Sequence, residues 1–316
     1  MAVQVKDAGS RQLEKKRFWK EVGRQKVLLI WAAVFVVYGF VFCYLPLAGW
    51  LMAFQNYKPK DGLFGSQFVG LAKFQQLFSD DTFLGVIRNT LAMGVLNLVT
   101  TFVMAILFAI LLNEVRTVWW KKTIQTISYL PHFLSWIIVT GILHDALSST
   151  GIVNELLVNL GIFETELNFF AYPKYFWGIV AFANVWKETG WNAIIYLAAI
   201  SGIDAEQYEA AEIDGTSKFH QFTQITLPMV SPTLFVVMIM RLMSSLKVFD
   251  LVYMMVDDAN PALNDAQTLM SLFYRESFIA GDKGYASAIV VWTVLLIGIV
   301  TVIQFVGQKK WVNYEV

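Results

Sequence analysis

The side chains best placed to do chemistry in this chain are carboxylates. Glu209-Ala210-Ala211-Glu212-Ile213-Asp214-Gly215-Thr216, followed by Ile225-Thr226-Leu227-Pro228 and Ser231-Pro232, occupies a polar stretch, 201–228, between two hydrophobic runs. Asp204 suits a helix N-cap, with Gln207 three positions on to bond back to it. A helix is therefore predicted from about Ala205 to Asp214, stopping at Gly215, which tolerates the left-handed conformation of a helix end. Ala210 and Ala211 present almost no side chain, so a partner surface can approach that backbone closely. Glu209, Glu212 and Asp214 leave the face acidic. Phe219, Phe222 and Ile225 recur every third residue and predict a second short helix with an apolar seam, separated from the next span by Pro228. The chemistry on offer is docking to a basic groove, not catalysis. A lone Glu-Ala-Ala would read as a solvated connection; the whole pattern in register favours the docking surface.

A second group lies within hydrophobic runs. Lys187 and Glu188 sit near the middle of one run, beside Gly190, Asn192 and the flanking Trp186 and Trp191; Arg241 sits near the middle of the next, with Lys247 and Asp250 further on. Charges there cost a few kcal/mol each and face a cavity or a partner charge. Two readings stand. Trp186, Glu188, Trp191, Asn192 and Arg241 line a path for a polar solute, or Glu188 pairs with Arg241 or Lys247 to lock helix packing. Gly190 beside two charges predicts a distorted helix. Asn97, Thr100 and Thr101 share one stripe and suit bonds between helices. Pro131 removes a backbone donor and predicts a kink, with His132 an interhelical histidine.

Enzyme chemistry finds little footing. Cys43 is the only cysteine, which excludes a disulfide within the chain and a cysteine metal site. His132, His144 and His220 show no metal-ligand spacing, and no phosphate-binding G-x-x-x-x-G-K-[ST] occurs. No cofactor, metal or catalytic residue is assigned. No nucleic-acid partner is expected either, although a net charge of zero by itself says little about partners.

The elements that hold these groups follow from composition. A chain of 316 residues, 57% hydrophobic, with a mean hydropathy of +0.55, is an all-α integral membrane protein embedded in lipid. Residues 27–54, 91–112, 123–143 and 286–308 contain no Asp, Glu, Lys or Arg. With 174–200 and 229–256, which carry internal charges, six transmembrane helices are predicted, near 27–54, 91–112, 123–147, 174–200, 229–256 and 286–308. The first is too long, and its basic leader too extended, for a cleavable signal peptide. Lys6, Arg11, Lys15, Lys16, Arg17, Lys20, Arg24 and Lys26 place the tail 1–26 in the cytoplasm. Arg116, Lys121 and Lys122 do the same for the loop after the second helix, and Lys309 and Lys310 for the tail 309–316. The 201–228 loop threads inside as well, although Lys218 is its only basic residue against Asp204, Glu206, Glu209, Glu212 and Asp214. Outside lie 55–87, 148–173 and 257–285, too short for independent domains. The amphipathic stretch Ile152–Leu160 is expected to lie on the membrane surface.

The 201–228 pattern resembles the coupling loop of permease subunits from importing ABC transporters. Leu111-Leu112-Asn113-Glu114-Val115-Arg116, Gln125-Thr126-Ile127-Ser128-Tyr129-Leu130-Pro131-His132-Phe133, Val185-Trp186-Lys187-Glu188-Thr189-Gly190-Trp191 and Gly284-Tyr285-Ala286-Ser287-Ala288 are similar to the oligosaccharide branch of that family. The resemblance implies the type I importer permease fold, with residues 88–308 as its core. It also implies a heterodimer with a second permease, two ATPase subunits that hold ATP and Mg, and an extracytoplasmic sugar-binding protein in a bacterial inner membrane. Glu209, Ala210, Ala211, Asp214 and Gly215 would then couple to the ATPase. A sugar suits the mix of aromatic faces, amides and charges in the second group. The chain departs from the family where Asp257-Asp258-Ala259-Asn260-Pro261 replaces the frequent Gly-Gly-Pro. An importer of another solute, or a membrane enzyme using Glu188, are the alternatives; the second leaves the Glu-Ala-Ala loop unexplained.

Overall fold

Backbone polar groups in a hydrocarbon layer are satisfied most simply within helices, and the computed structural model of this chain is helical almost throughout. It describes residues 17, 19–256 and 259–308. The basic residues before Arg17, the Lys309-Lys310 tail and Asp257-Asp258 lie outside the described residues. Among those described, five helical stretches are long and apolar enough to cross a membrane: Lys26–Phe54, Asp81–Glu114, Trp136–Asn159, Lys218–Ser245 and Lys283–Gly307. The other expected span, Pro173–Ser201, has 29 residues, about 43 Å at 1.5 Å per residue. It has the length, but Lys187, Glu188 and its amides lower its hydropathy.

Several elements are more broken than the apolar runs suggest. The first run is an α-helix, α1 (Lys26–Gly39), then a π segment Phe40–Tyr44 and a 3-10 stretch Leu45–Phe54. The second, α2 (Asp81–Glu114), starts ten residues before the uncharged run, at the N-cap Asp80 that accepts from the Thr82 N–H. The third run is split. α3 (Val118–Tyr129) ends in a 3-10 turn at Leu130–Phe133, and α4 (Trp136–Leu147) restarts at the Ser135 N-cap, so Pro131 marks a break rather than a kink. The amphipathic stretch Ile152–Leu160 folds as α5 (Ile152–Asn159), interrupted from α4 at Ser148–Gly151 and tied down by Asn154, which exchanges hydrogen bonds of 2.7 and 2.9 Å with the Leu167 backbone. α6 (Pro173–Ser201) is continuous.

Beyond α6 come α7 (Ala205–Ile213), α8 (Lys218–Gln221), a π turn at Phe222–Thr226 and α9 (Leu227–Ser245). Pro228 does not separate α8 from α9. The π turn at Phe222–Thr226 runs straight into α9, the Leu227 N–H donating to the Phe222 carbonyl, so the helical backbone carries on through Pro228 and Lys218–Ser245 is one rod. The fifth apolar run instead breaks at 246–249, before α10 (Asp250–Met255). α11 (Leu269–Tyr274), a π segment Arg275–Ala280 and α12 (Lys283–Gln308) complete the chain. One short antiparallel ladder, β1 (Gln55–Asn56) on β2 (Gln67–Phe68), pairs Gln55 with Phe68 and Asn56 with Gln67, a small addition to the all-helical expectation.

Small residues set the packing. Ala105 and Ala109 of α2 meet Ala193 and Leu197 of α6 and Val230 and Leu234 of α9 in one buried cluster; such residues let helices in lipid approach closely. α1 is the opposite case, with no buried residue. It stands at the periphery, and the chain rejoins the bundle where Gly284 of α12 meets the backbone of Gln55 and Met52.

Candidate functional site

The acidic loop folds as its local chemistry dictates. Asp204 caps α7 by accepting from the Glu206 N–H at 3.1 Å. Gln207 bonds back through its backbone only, its N–H donating to the Asp204 carbonyl at 3.2 Å. At the other end Gly215 has φ +70. The Thr216 N–H donates to Ala211 O at 2.9 Å and the Gly215 N–H to Glu212 O at 3.1 Å, the paired closure that a left-handed residue after a helix permits. Lys218 Nζ reaches across the turn to Glu212 Oε1 at 2.6 Å, and that hydrogen bond holds the Glu212 carboxyl below its ordinary value. Tyr208 Oη lies 2.8 Å from Thr226 Oγ1, so α7 is pinned to the base of the α9 rod.

Of the candidate docking residues, Glu209, Ala210, Asp214 and Gly215 are exposed and Ala211 is half-buried. The expected apolar seam divides. Phe222 and Ile225 are half-buried, whereas Phe219 is 76% exposed and Ile213 87% exposed. The loop thus offers two apolar side chains on an acidic platform. Sequence reasoning missed Ile213, whose position inside the Glu-Ala-Ala pattern was the available signal.

The second group converges on Glu188. Its Oε2 accepts from Arg241 Nη2 of α9 at 2.9 Å and lies 3.2 Å from His132 Nδ1. Arg241 also donates through Nε to Asn192 Oδ1 at 2.9 Å. Glu188 and Asn192 are four residues apart on α6, hence on one face. Lys247 does not pair with Glu188, because it follows the end of α9. Lys187 Nζ lies 3.9 Å from Glu188 Oε1, but its buried ammonium donates to the His132 carbonyl at 2.5 Å and the Pro131 carbonyl at 3.4 Å. It thereby satisfies carbonyls released where α3 ends.

Gly190 does not distort α6. A Cβ there would collide with the Ser128 carbonyl of α3, so the glycine is needed for close helix approach. The His132 ring stacks on Trp191 with centroids 4.5 Å apart and planes 4° apart, which fixes the imidazole against the carboxylate.

Glu188, Asn192 and Arg241 line a cavity of about 240 Å³, together with Asn97, Asn184 and Tyr196. Trp186 and Trp191, placed on the same path by sequence, are not among its lining residues. Asn97 is 5% exposed and neither its Oδ1 nor its Nδ2 finds a partner. The bond between helices expected of it is absent, and its buried amide stands in the cavity wall. A buried, paired charge beside the unmatched amide of Asn97 can exchange its hydrogen bonds with a polar solute. Among the described residues no cluster of His, Cys, Asp and Glu could hold a metal ion.

Comparison with known proteins gives this geometry a context. Residues 102–312 match the family described as "Binding-protein-dependent transport system inner membrane component". The chain is 36% identical over 278 residues to the polygalacturonan/rhamnogalacturonan transport system permease protein YteP of Bacillus subtilis (strain 168), covering 87% of this chain and 85% of that protein. In structure it is similar to a chain of a bacterial ABC transporter involved in the import of the acidic polysaccharide alginate, with a TM-score of 0.85 and 31% identity over 94% of this chain and all of that one. A second structure, of a bacterial alginate ABC transporter in complex with an alginate pentasaccharide-bound periplasmic protein, matches with a TM-score of 0.82 and 31% identity, covering 91% of this chain and 96% of that chain.

Proposed function

The chain belongs to the family of binding-protein-dependent transport system inner membrane components, and from that premise we propose that it moves an oligosaccharide across the membrane, driven by separate ATPase subunits. The observation that carries this reading is the mechanical link between loop and cavity. α7 sits at the end of the unbroken Lys218–Ser245 rod, whose first turn is α8, and the same rod holds Arg241 against Glu188 at 2.9 Å. Twenty-three residues separate Lys218 from Arg241, about 35 Å at 1.5 Å per residue. A push on the loop is delivered to the charge pair in the membrane. The π turn at Phe222–Thr226, a geometry frequent at functional sites, lies between the two.

On this reading Glu209, Ala210, Ala211, Asp214 and Gly215 form the ATPase-facing surface, with ATP and Mg bound by the ATPase and none by this chain. Six helices cross a bacterial inner membrane, with both termini and the 201–228 loop in the cytoplasm. A second permease completes the pore, two ATPases dock beneath, and an extracytoplasmic binding protein delivers the sugar. Glu188, Asn192 and Arg241 line the route; Trp191 braces it through His132, and Trp186 flanks it. The test is uptake of a labelled panel of glycans by a strain deleted for this gene. Loss of uptake of one oligosaccharide class, restored by the gene, is expected. Unchanged uptake of every glycan, with loss of a non-sugar solute, would overturn the substrate class.

A further inference from the structure

Two side chains share one oxygen of Glu188. Its Oε2 lies 2.9 Å from Arg241 Nη2 and 3.2 Å from His132 Nδ1. The two partners ride on different parts of the bundle. Arg241 belongs to the α9 rod, whereas His132 lies in the 3-10 turn Leu130–Phe133 that ends α3. Three contacts fasten that turn and the end of α3 to α6, beside Glu188 itself. Lys187 Nζ donates to the His132 carbonyl at 2.5 Å. The His132 ring stacks on Trp191 with centroids 4.5 Å apart. Gly190 lets the Ser128 carbonyl come so close that a Cβ would collide with it. A rod that shifts against α6 therefore carries Arg241 away from the carboxylate and leaves His132 beside it.

The Glu188 side chain is 11% exposed. Stripped of Arg241 it is a buried charge without a counter-charge, a costly state. A neutral imidazole offers it one hydrogen bond and no charge. The ionised carboxylate only accepts, so Nδ1 carries the hydrogen of that bond and Nε2 is the nitrogen left for a second proton. An imidazole that takes this proton becomes a cation beside Oε2, and histidine ordinarily changes charge between about pH 5 and pH 8. The charged groups that face His132 are Glu188 and Lys187 from α6 and Arg241 from α9. Lys187 is engaged by the Pro131 and His132 carbonyls, and Trp191 and Phe133 are uncharged rings against the imidazole. His132 is not among the residues lining the central cavity, so its reach is to Glu188 and not to a solute.

We propose that His132 is the standby counter-ion of Glu188: a proton taken from water at Nε2 lets it hold the carboxylate when the rod carries Arg241 away. His132 is thus a positioning residue, acting through Glu188. This rests on the ATPase-driven import reading and adds control of that import by pH. The sign follows from the charges. In acid the carboxylate keeps a cation after Arg241 leaves, so the central pair opens more readily; in alkali it is left bare, and the pair stays shut.

The experiment measures ATP hydrolysis without sugar by the transporter assembled in nanodiscs, from about pH 8 to about pH 5. Wild type is compared with His132→Phe, which keeps a ring on Trp191, and His132→Gln, which keeps a donor that cannot gain charge. Relative to either variant, wild-type hydrolysis is expected to rise about two- to tenfold towards acid, the difference between a charged and a neutral hydrogen bond. Profiles that stay parallel across that range would overturn the proposal while leaving ATPase-driven import standing. A His132→Gln protein with the full wild-type rise would do the same. Should neither variant keep the second permease, wild type is compared with Glu188→Gln, which leaves His132 no anion to hold, and matching profiles would again overturn it. A wild-type assembly that hydrolyses no ATP at any pH, with or without its binding protein and alginate, galacturonate and maltose oligomers, would overturn the import reading itself.

Discussion

Removing the Glu188 carboxylate separates a packing role from a transport role, and the expected size follows from the geometry. Glu188 is 8% exposed and holds Arg241 at 2.9 Å. At an effective dielectric constant of about 20 that attraction is about 6 kcal/mol gross, and about 1.4 kcal/mol in water. Desolvation of both ions offsets much of it, but Glu188→Gln leaves the guanidinium without its counter-charge, a loss of about 3–5 kcal/mol for a buried pair. Arg241 keeps the Asn192 carbonyl oxygen, and its side chain is 27% exposed beside the cavity. The low end, about 3 kcal/mol, is therefore expected, roughly a hundredfold in the folded-to-unfolded ratio. Thermal unfolding in detergent of Glu188→Gln, Arg241→Gln and the double variant measures it. The singles should be destabilised, and the double should recover a substantial part. A Glu188→Gln protein that unfolds like wild type and imports sugar like wild type would refute both roles.

Four further outcomes are expected. Gly215→Val places a β-branched residue at φ +70, at a cost of about 1–3 kcal/mol; co-purification with the ATPase or substrate-stimulated ATP hydrolysis should fall, and normal hydrolysis would count against docking. Glu209→Lys should impair transport more than Glu209→Ala, because repulsion adds to lost attraction; equal, wild-type-like rates would leave Glu209 as a solvated residue. In a Cys43→Ala background, cysteines at Asp61 and Asn264 should react in whole cells with an impermeant thiol reagent and one at Gln207 should not; the reverse would overturn the topology. Glu276 has its carboxyl pushed up by burial and by Asp282 and Asp80, so its stabilising contribution is complete below the ordinary carboxylate range and lost as pH rises through the raised value. Glu276→Gln should accordingly raise the melting temperature near neutral pH and lose that advantage in acid, and a constant difference across pH would refute the assignment.

The legible parts of this fold are those that local chemistry settles. The Asp204 cap, the α7 helix and the left-handed Gly215 each follow from a residue and its neighbours within one turn. The pairing of Glu188 was legible only as a choice between Arg241 and Lys247, and the break at 246–249 decided it. Nothing in Leu246-Lys247-Val248-Phe249 announces that break, since it holds neither proline nor glycine. The group that accommodates it is distant: Thr268 Oγ1 donates to the freed Val248 carbonyl at 2.8 Å. Gly190 misled for a similar reason. A glycine beside charges reads as a distortion until the α3 backbone is seen against it. Pro228 misled because the π turn before it carries the helical backbone on through the proline.

The position of the charge pair gives transport an energetic logic. α6 holds Glu188 and Asn192, while the rod that begins at the acidic loop holds Arg241, so shifting the rod against α6 stretches the contact that joins the walls of the central cavity. At rest the pair, Arg241 Nη2 to Glu188 Oε2 at 2.9 Å, favours the arrangement seen here. A driving event shifts that balance only through interactions that differ between the two arrangements. Two sources act on the same rod. On the proposed function, an ATPase docked on Ile213, Phe219 and the acidic face of α7 moves its base, and the hydroxyls of a sugar in the cavity replace hydrogen bonds that Arg241 and Asn97 would otherwise lack. On the proposed function the two act together, and import is then expected to require sugar and ATPase closure at once. Arg241→Gln removes the restraint, so ATP hydrolysis by the assembled transporter should rise without sugar and respond less when sugar is added. An Arg241→Gln transporter that assembles normally yet keeps tight sugar dependence of ATP hydrolysis would show that the restraint lies elsewhere.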